Sequence, residues 1–285
     1  MRLGATHPVR VQRLQVERPI GAHDHAFTEI AIVEGGRALH HDANGQSEIV
    51  VGSVIVVPPG PAHAFPFADD LRITNLYYLS QWLLWDLSSL MQNEGLVPLF
   101  FAAHLFRRAE HRRVAIFALD ADEREVCQRE LRDIEAENAR AQPSLFWVRG
   151  AFSKLLVTLG RAWSRQRPQL NDSDFRPEIW RAIERVDEGI KEGRPFCIQT
   201  LSREVGYGAA HFSRLFRAAT GWSPSDYHQL RRVQHAGHLL LHSTLSISQI
   251  SARLGYCDSA HLSRFFSRLQ GVPPREFRRL YGSEK

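Results

Sequence analysis

Four side chains with metal-ligand chemistry stand at short spacings in the first quarter of the chain. One group reads His23-x-His25-x-x-x-Glu29, and His63 follows a Pro-Pro-Gly turn. In an extended segment side chains alternate between two faces, so His23, His25 and Glu29 would line one wall. Three imidazoles and one carboxylate form a set that suits a divalent transition metal such as Zn, Ni, Fe or Mn. Two interpretations remain open: the set binds such a metal, or the side chains contact an effector and one another.

Two further polar groups fall on the predicted inner face of a strand. In residues 71–78, Asn75 and Tyr77 share a face with Leu71 and Ile73. A mixture of polar and apolar side chains on an inward face is typical of a small-molecule pocket. Asn75 can equally satisfy a neighbouring backbone group, and the pattern does not separate the two roles. The candidate effector-binding residues are therefore His23, His25, Glu29, His63, Asn75 and Tyr77.

A second kind of chemistry lies near the C-terminal end, where His211-Phe212-Ser213-Arg214 recurs fifty residues later as His261-Leu262-Ser263-Arg264. Each run belongs to a helix with apolar residues at i, i+3, i+4 and i+7, and follows a short helix and a Gly-Tyr break. The pattern predicts a helix-turn-helix, twice. Small residues and arginines lie opposite the buried stripe, which suits a helix that enters the DNA major groove. The predicted DNA-binding residues are Ala210, His211, Ser213, Arg214 and Arg217 in the first copy, and Ala260, His261, Ser263, Arg264, Ser267 and Arg268 in the second.

The metal-ligand residues need a scaffold, and the sequence around them reads as short strands. Strands are predicted at 29–33, 37–41, 47–51, 53–57 and 71–78, with a hairpin turn at Asn44-Gly45. Such a series indicates a small antiparallel barrel or jelly roll. Residues 81–108 lose the alternation and predict a helix packed on the barrel. After a strand at 114–119 come two helices, the first capped by Asp120 or Asp122.

These motifs resemble known families. The repeat, with Gly255-Tyr256 and the closing Gly271-Val272-Pro273-Pro274 run, resembles the DNA-binding domain of the AraC/XylS transcription regulators. The two histidine motifs resemble the signatures of the cupin superfamily, and the stretch from His23 to Tyr78 looks most like the sensor domain of the rhamnose-responsive AraC members. The resemblance implies a β-barrel that binds a sugar or related polyol, with any metal held by the residues matching His23, His25, Glu29 and His63. The sequence departs from these patterns at Phe67, where cupins often have Asn, and at Gly208, where the AraC family usually has Ser.

Charge divides the chain into two regions. Residues 1–175 carry 19 Lys and Arg against 21 Asp and Glu, whereas residues 176–285 carry 17 against 10, which gives −2 and +7. A basic region is what binding to a polyanion requires. We predict an α+β protein with an N-terminal cupin-like β-barrel and packed helices, and a C-terminal all-α domain of two helix-turn-helix units. The predicted domains are an effector-binding and dimerisation domain at 1–167, a linker at 168–177 and a DNA-binding domain at 178–285.

The expected partners are double-stranded operator DNA, a small-molecule effector, a second copy of the chain and, for an activator, RNA polymerase. The dimer prediction comes from an apolar stripe that includes Val148, Phe152 and Leu155. The three cysteines are far apart, which favours neither a disulfide framework nor a Cys-x-x-Cys metal site. No run reads as a signal peptide or a membrane span. Both observations predict a cytoplasmic protein. The rival interpretation is a metal-dependent cupin enzyme fused to a DNA-binding domain. We expect no enzyme, because the sequence shows no dedicated second carboxylate beside the histidines that would position a substrate.

Overall fold

The structure is a computed structural model, and it describes residues 3, 8–93, 95–107, 113–166 and 176–281. Contacts divide the chain into two compact units. The β unit comprises Met1–Ser80 and Met91–Pro168, and the helical unit comprises Gln81–Leu90 and Gln169–Lys285. Most of the predicted linker at 168–177 lies outside the described residues, so the predicted domain limits stay a prediction.

The β unit is built on antiparallel strands. In the described residues they are β1 Val9–Val16, β2 Ile20–His23, β3 Thr28–Asp42, β4 Gly45–Val50, β5 Ser53–Val57, β6 His63–Tyr78 and β7 Ala115–Ala118. The order is β1-β6-β3-β5-β7, with β2 on β6 and β4 on β3. One half of the β3–β6 pair lies between β1 and β5, and the other half lies between β2 and β4. This is the predicted cupin-like antiparallel fold.

Strand β3 changes direction at a glycine. Gly36 has φ of +68°, and a Cβ there would lie 2.1 Å from the carbonyl oxygen of Asp70. Only glycine therefore fits this position. The β3–β6 register shifts around Gly35 and Gly36. The separate strands predicted at 29–33 and 37–41 are consequently the two halves of β3.

Apolar side chains fill the space inside the strands. The inner core contains Val16, Ala31, Val33, Ala38, Ile49, Ile55, Val57, Phe65, Leu71 and Ile73. On the outer face, Tyr78 packs on Phe152 with ring centroids 5.0 Å apart. Phe152 belongs to α4 Leu145–Gln166, which pairs with α3 Ala121–Asn138. Asp120 caps α3 and forms a capping box with Glu123, as predicted for this carboxylate.

The segment after β6 differs from the prediction. It contains two 3-10 turns, Ser80–Trp82 and Leu84–Asp86, followed by α1 Leu87–Met91, a π-helical turn Val97–Phe101 and α2 Ala102–Leu105. Gly95, with φ of +76°, and Pro98 interrupt any longer helix. The predicted helix packed on the barrel is wrong for Gln81–Leu90, because this segment belongs to the helical unit.

The helical unit contains the two predicted helix-turn-helix copies. Its helices are α5 Pro177–Lys191, α6 Ile198–Glu204, α7 Ala209–Thr220, α8 Pro224–His242, α9 Ile247–Arg253, α10 Ser259–Gln270 and α11 Pro274–Tyr281. Helices α6 and α7 form the first copy, α9 and α10 the second, and α8 joins the copies as one helix. None of the helices in the described part of the chain combines the length and apolar character that a membrane span needs.

Candidate ligand site and nucleic-acid interface

His25, Glu29 and His63 meet inside the β unit. Glu29 is near the start of β3, His63 is the first residue of β6, and His25 lies in the loop before β3. One ligand atom from each lies within 4.8 Å of the other two, and His25 Nε2 is 3.3 Å from Glu29 Oε2. Glu29 and His63 are only 3% and 2% exposed. The structure therefore brings together three of the four predicted metal-ligand residues.

The Nε2 atoms of His25 and His63 are the ring nitrogens that could bind a metal or an effector. His25 Nδ1 lies 2.8 Å from the carbonyl oxygen of Phe27, so Nδ1 donates and Nε2 is the nitrogen that would bind a metal. His63 Nδ1 is 3.4 Å from His40 Nε2, and His63 Nε2 is buried without a hydrogen bond to any described residue. Burial, reinforced by the charges of His23 and His40, lowers the pKa of His63 to about 3. The ring is therefore neutral at neutral pH, as a metal ligand or hydrogen-bond acceptor must be.

The polar cluster continues from Glu29 along β6. Glu29 and Tyr77 are cross-strand partners, and Asn75 Nδ2 donates to the Tyr77 hydroxyl at 2.9 Å rather than to a backbone group. Burial and the charge of Glu29 raise the pKa of Tyr77, so the phenol keeps its proton. Asn75 Oδ1 is buried and accepts no hydrogen bond from the residues that the structure describes. A buried acceptor without a donor is costly unless a ligand supplies one.

His23 lies at the edge of this cluster. Its side chain is exposed, its Nδ1 is 3.0 Å from the carbonyl oxygen of Gly21, and its ring centroid is 4.4 Å from that of His63. Strand β2 ends at His23, and residues 24–27 are not extended as a strand. The alternation that predicted one wall for the first histidine motif therefore does not continue to Glu29.

Two residues of the cluster were missed by sequence reasoning. His40 is 1% exposed and lies next to His63, and Phe27 stacks on the His25 ring at 4.5 Å and lies 5.1 Å from the Tyr77 ring. The register shift around Gly36 changes which residues of β3 point inward, from odd positions such as Glu29 to even positions such as His40. For His40, the signal available in the sequence was the two-residue alternation, read separately in each half of β3.

Helix α7 exposes the face that the sequence predicted for DNA. Phe212 and Phe216 are fully buried, whereas Ser213 is half-buried and its hydroxyl donates to the Ala209 carbonyl at 2.8 Å. The turn before α7 contains Gly206 with φ of +85°, a conformation that glycine favours. The exposed predicted residues of this copy are Ala210, His211, Arg214 and Arg217.

Helix α10 repeats this arrangement. Leu262 and Phe266 are fully buried, and the Ser263 hydroxyl donates to the Ser259 carbonyl at 2.7 Å. Gly255, with φ of +70°, takes the place of Gly206. Among the predicted residues Ala260, Arg264 and Arg268 are exposed, whereas His261, Ser263 and Ser267 are half-buried.

The arginines of these faces differ in their intramolecular contacts. Arg214, Arg217 and Arg264 make no ion pair or side-chain hydrogen bond with any residue that the structure describes. Arg268 instead lies over the Phe265 ring, 4.6 Å from its centroid. Guanidinium groups without an intramolecular acceptor are suited to bidentate contacts with phosphates or guanine edges. This geometry makes Arg214 and Arg264 the main candidates for DNA contacts.

Both units match sequence models of known families. The model described as an AraC-like ligand binding domain matches residues 14–124, and the model described as a helix-turn-helix domain matches residues 201–280. The protein belongs to the AraC family of transcription regulators. The first match contains the cluster of His25, Glu29 and His63, and the second contains both candidate recognition helices.

Curated relatives span nearly the whole chain. The chain is 22% identical to the HTH-type transcriptional activator RhaR of Mannheimia succiniciproducens, over 95% of this chain and 91% of that protein. It is 26% identical to RhaR of Escherichia coli K12, over 90% of this chain and 86% of that protein. Among solved structures, ToxT from Vibrio cholerae aligns over 97% of this chain and 99% of that one, at 11% identity and a TM-score of 0.47.

Proposed function

We propose that this AraC-family regulator is switched by a small polar molecule that binds inside the β unit. The observation that carries the proposal is a pair of buried polar atoms, His63 Nε2 and Asn75 Oδ1, that make no hydrogen bond with the described residues. A bound molecule that forms a hydrogen bond with both would remove the cost of leaving them unpaired. Because its DNA partner would be chromosomal, the cytoplasm is the compartment we propose.

The chemistry of the cluster favours a sugar or related polyol as effector. A carboxylate, two imidazoles, an amide and a phenol can donate to and accept from several hydroxyl groups, and the Phe27 ring offers a face for the apolar side of a sugar. The name of the RhaR relatives as transcriptional activators supports RNA polymerase as a further partner.

The effector proposal is tested in two steps. Selection of genomic DNA fragments by the purified chain identifies the operator and its neighbouring genes. Neutral sugars and polyols, L-rhamnose first, are then screened for a rise in melting temperature and a change in operator affinity. We expect one of them to do both in the wild type and neither in Asn75→Ala. An exposed-residue control, His41→Ala, should respond like the wild type, and a ligand response retained in Asn75→Ala contradicts the proposed site.

We also propose that His25, Glu29 and His63 hold a divalent transition metal, Zn, Ni, Fe or Mn. The residues fit such an ion because their ligand atoms converge within 4.8 Å and the Nδ1 of His25 is engaged by a carbonyl oxygen, as is usual for metal-binding histidines. A bound ion would supply a Lewis-acidic position for effector oxygens. Elemental analysis should find close to one equivalent per chain, lost in a His25→Ala, His63→Ala variant and kept in His41→Ala. Substoichiometric metal in the wild type, or metal that survives the double variant, excludes this site.

A homodimer is the remaining proposal. The apolar stripe from which it was predicted, Val148, Phe152 and Leu155, is fully buried within the chain, so the proposal rests instead on the start of α4. Phe146 is 89% exposed and Trp147 is 57% exposed, which is unusual for adjacent large aromatic residues. We propose that a second copy of the chain covers them. Sedimentation should show a dimer that is weakened at least tenfold by Phe146→Ser with Trp147→Ser, whereas Phe67→Ser, an exposed phenylalanine on β6, should leave it unchanged. A wild-type monomer at micromolar concentration would refute the proposal.

A further inference from the structure

The ten residues Gln81–Leu90 connect directly to the ligand cluster and yet belong to the helical unit. Strand β6, which carries Asn75 and Tyr77, ends at Tyr78, and only Leu79 and Ser80 separate it from this segment. After Leu90 the chain returns to the β unit. We call Gln81–Leu90 the strap.

The strap is packed as part of the helical core. Leu84 and Leu87 are 2% and 0% exposed, and the turn Leu84–Asp86 packs against α8. The carbonyl oxygen of Leu84 accepts a hydrogen bond of 2.7 Å from Arg231 Nη2 on α8. A charge-assisted bond to a backbone carbonyl fixes the strap by its main chain, so the attachment does not depend on one strap side chain.

Arg231 is fully buried and distributes its donors over three elements. Its Nε donates to Asp187 Oδ1 on α5 at 2.8 Å, and its Nη1 donates to Gln234 Oε1 at 2.6 Å. Burial alone would favour the neutral form of Asp187, but the charge of Arg231 and a hydrogen bond from His235 outweigh it and hold the pKa of this carboxyl well below its usual range. Arg231 Nη2 also lies 2.6 Å from Asp187 Oδ1, and the Leu84 carbonyl gives the same nitrogen a second acceptor. The strap therefore shares one buried guanidinium with α5 and α8.

Helix α8 in turn contacts both helix-turn-helix copies. Tyr227 packs on Phe216 of α7 with centroids 5.3 Å apart. Arg232, the neighbour of Arg231, donates to the Leu254 carbonyl at 2.8 Å and lies 3.5 Å from the centroid of the Tyr256 ring in the second copy. A shift of α8 would therefore alter both recognition helices.

We propose that the strap is a regulatory connection through which the ligand state of β6 acts on α8 and thereby on DNA binding. The proposal rests on the proposed function, because it requires that a ligand contacts Asn75 and Tyr77. A ligand shifts an equilibrium between two arrangements only by its differential affinity for them. The coupling is reciprocal, so operator DNA must also alter the strap and the end of β6. This reciprocity allows a test before any effector is identified.

The test is hydrogen exchange of the full chain with and without the selected operator fragment. In the wild type we expect DNA to slow exchange at least threefold in the strap and in residues 75–80. The double variant Asp187→Leu, Arg231→Met replaces the buried pair by apolar side chains of similar size and removes the donor to Leu84. In this variant we expect faster strap exchange and no response of residues 75–80 to DNA. Lys191→Met, which removes a cation 3.6 Å from Asp187 Oδ2 but leaves Arg231 in place, should behave like the wild type.

A second variant tests the same connection and does not depend on the folding of the double variant. Five Gly and Ser residues inserted between Leu79 and Ser80 leave the Arg231 contacts intact and loosen the connection to β6. DNA should still slow exchange in the strap of this variant but no longer in residues 75–80. If DNA leaves residues 75–80 unchanged in the wild type, or still slows them after the insertion, the strap is not the connection. Failure of the effector screen alone would not produce either result, since no effector is present.

Discussion

The two helix-turn-helix copies share their turns but differ in how their helices begin. Each has a left-handed glycine in the turn, Gly206 or Gly255, and each recognition helix ends on a left-handed glycine. In the first copy Cys197 and Gly208 begin α6 and α7 without a side-chain cap. In the second copy Ser246 forms a capping box with Gln249, and Asp258 Oδ1 accepts from the His261 amide at 2.6 Å.

The copies also differ in their attachment to α8. The second copy receives the Arg232 hydrogen bond and the stacking of its guanidinium on Tyr256. The first copy is held by apolar contacts such as that of Phe216 with Tyr227. One backbone motif is thus ordered in two ways, and polar caps and a buried cation pre-organise the second copy more fully. Pre-organisation lowers the ordering cost at binding, so the second copy should contribute more to DNA affinity.

The largest expected effect is on DNA binding by the exposed arginines. Arg264→Ala and Arg214→Ala should each cost roughly 1 to 3 kcal/mol of operator affinity if the guanidinium contacts a base, with Arg264→Ala the more damaging. Each should relax specificity in a different half of the site, about one helical turn or ~34 Å from the other. Footprinting and titration of one operator measure both effects.

The control for this pair is Arg181→Ala, which removes an exposed arginine of α5 outside both candidate DNA faces. It should reduce affinity only through net charge. Equal losses of operator affinity for Arg214→Ala and Arg264→Ala would show that the better-capped copy does not contribute more to DNA affinity. Loss of protection in the same half-site for both variants would refute separate binding by the two helices.

The next effect concerns the attachment of the second copy. Arg232→Met keeps the bulk of the side chain but leaves the Leu254 carbonyl without its donor and removes the stacking on Tyr256. We expect the free energy of unfolding to fall by about 2 kcal/mol, because a charged hydrogen bond contributes ~1.5 to 3 kcal/mol and removal of a buried charge offsets part of this. Denaturant titration of the full chain measures it, and Arg217→Met, on the exposed face of the first copy, serves as control. Equal stability of the two variants would show that α8 does not hold the copies differently.

A smaller effect is predicted for the cap of α10. Asp258→Ala should destabilise the second copy by about 1 kcal/mol, the usual cost of losing an N-cap side chain. Asp258→Asn retains an oxygen acceptor for the His261 amide and should lose less than half as much. Exchange of the first amides of α10 reports the change locally. If Asn and Ala are equally disruptive, the carboxylate contributes through its charge rather than as a cap.

Patterns with a local cause were predictable from the sequence. The repeat, the capping box at Ser246 and the α3 cap at Asp120 each depend on residues a few positions apart. The inward side of β6 followed from simple alternation. Asp258 was not singled out as a cap. The second turn has one extra residue, since Gly206 matches Gly255 at an offset of 49 but His211 matches His261 at 50, and this hides the equivalence of Asp258 and Gly208.

Features with a long-range cause were not predictable. His40 reaches the ligand cluster because the bulge at Gly36 changes the inward parity of β3. The strap is an apolar segment, and its apolar pattern does not show whether it packs in the β unit or in the helical unit. That choice depends on Arg231, which is 147 residues away from Leu84. Whether Arg231 is buried or exposed is not encoded in its immediate neighbours.

The smallest predicted effect would make the first copy resemble the second. Gly208 has φ of −73° and ψ of 146°, and a Cβ there would meet nothing within 4 Å. Gly208→Ser can therefore supply a cap for α7 and reduce the entropy of the unfolded chain, which together should stabilise by about 0.5 to 1 kcal/mol. Gly206→Ser, at φ of +85° in the same turn, should instead destabilise by about 1 kcal/mol, because the left-handed conformation disfavours a side chain. Urea titration separates the two. Gly208→Ser can be combined with each arginine variant, and if it narrows the affinity difference between Arg214→Ala and Arg264→Ala, capping causes the unequal contribution of the two copies to DNA affinity. If Gly208→Ser stabilises the chain without narrowing that difference, the unequal contribution is assigned to Arg232.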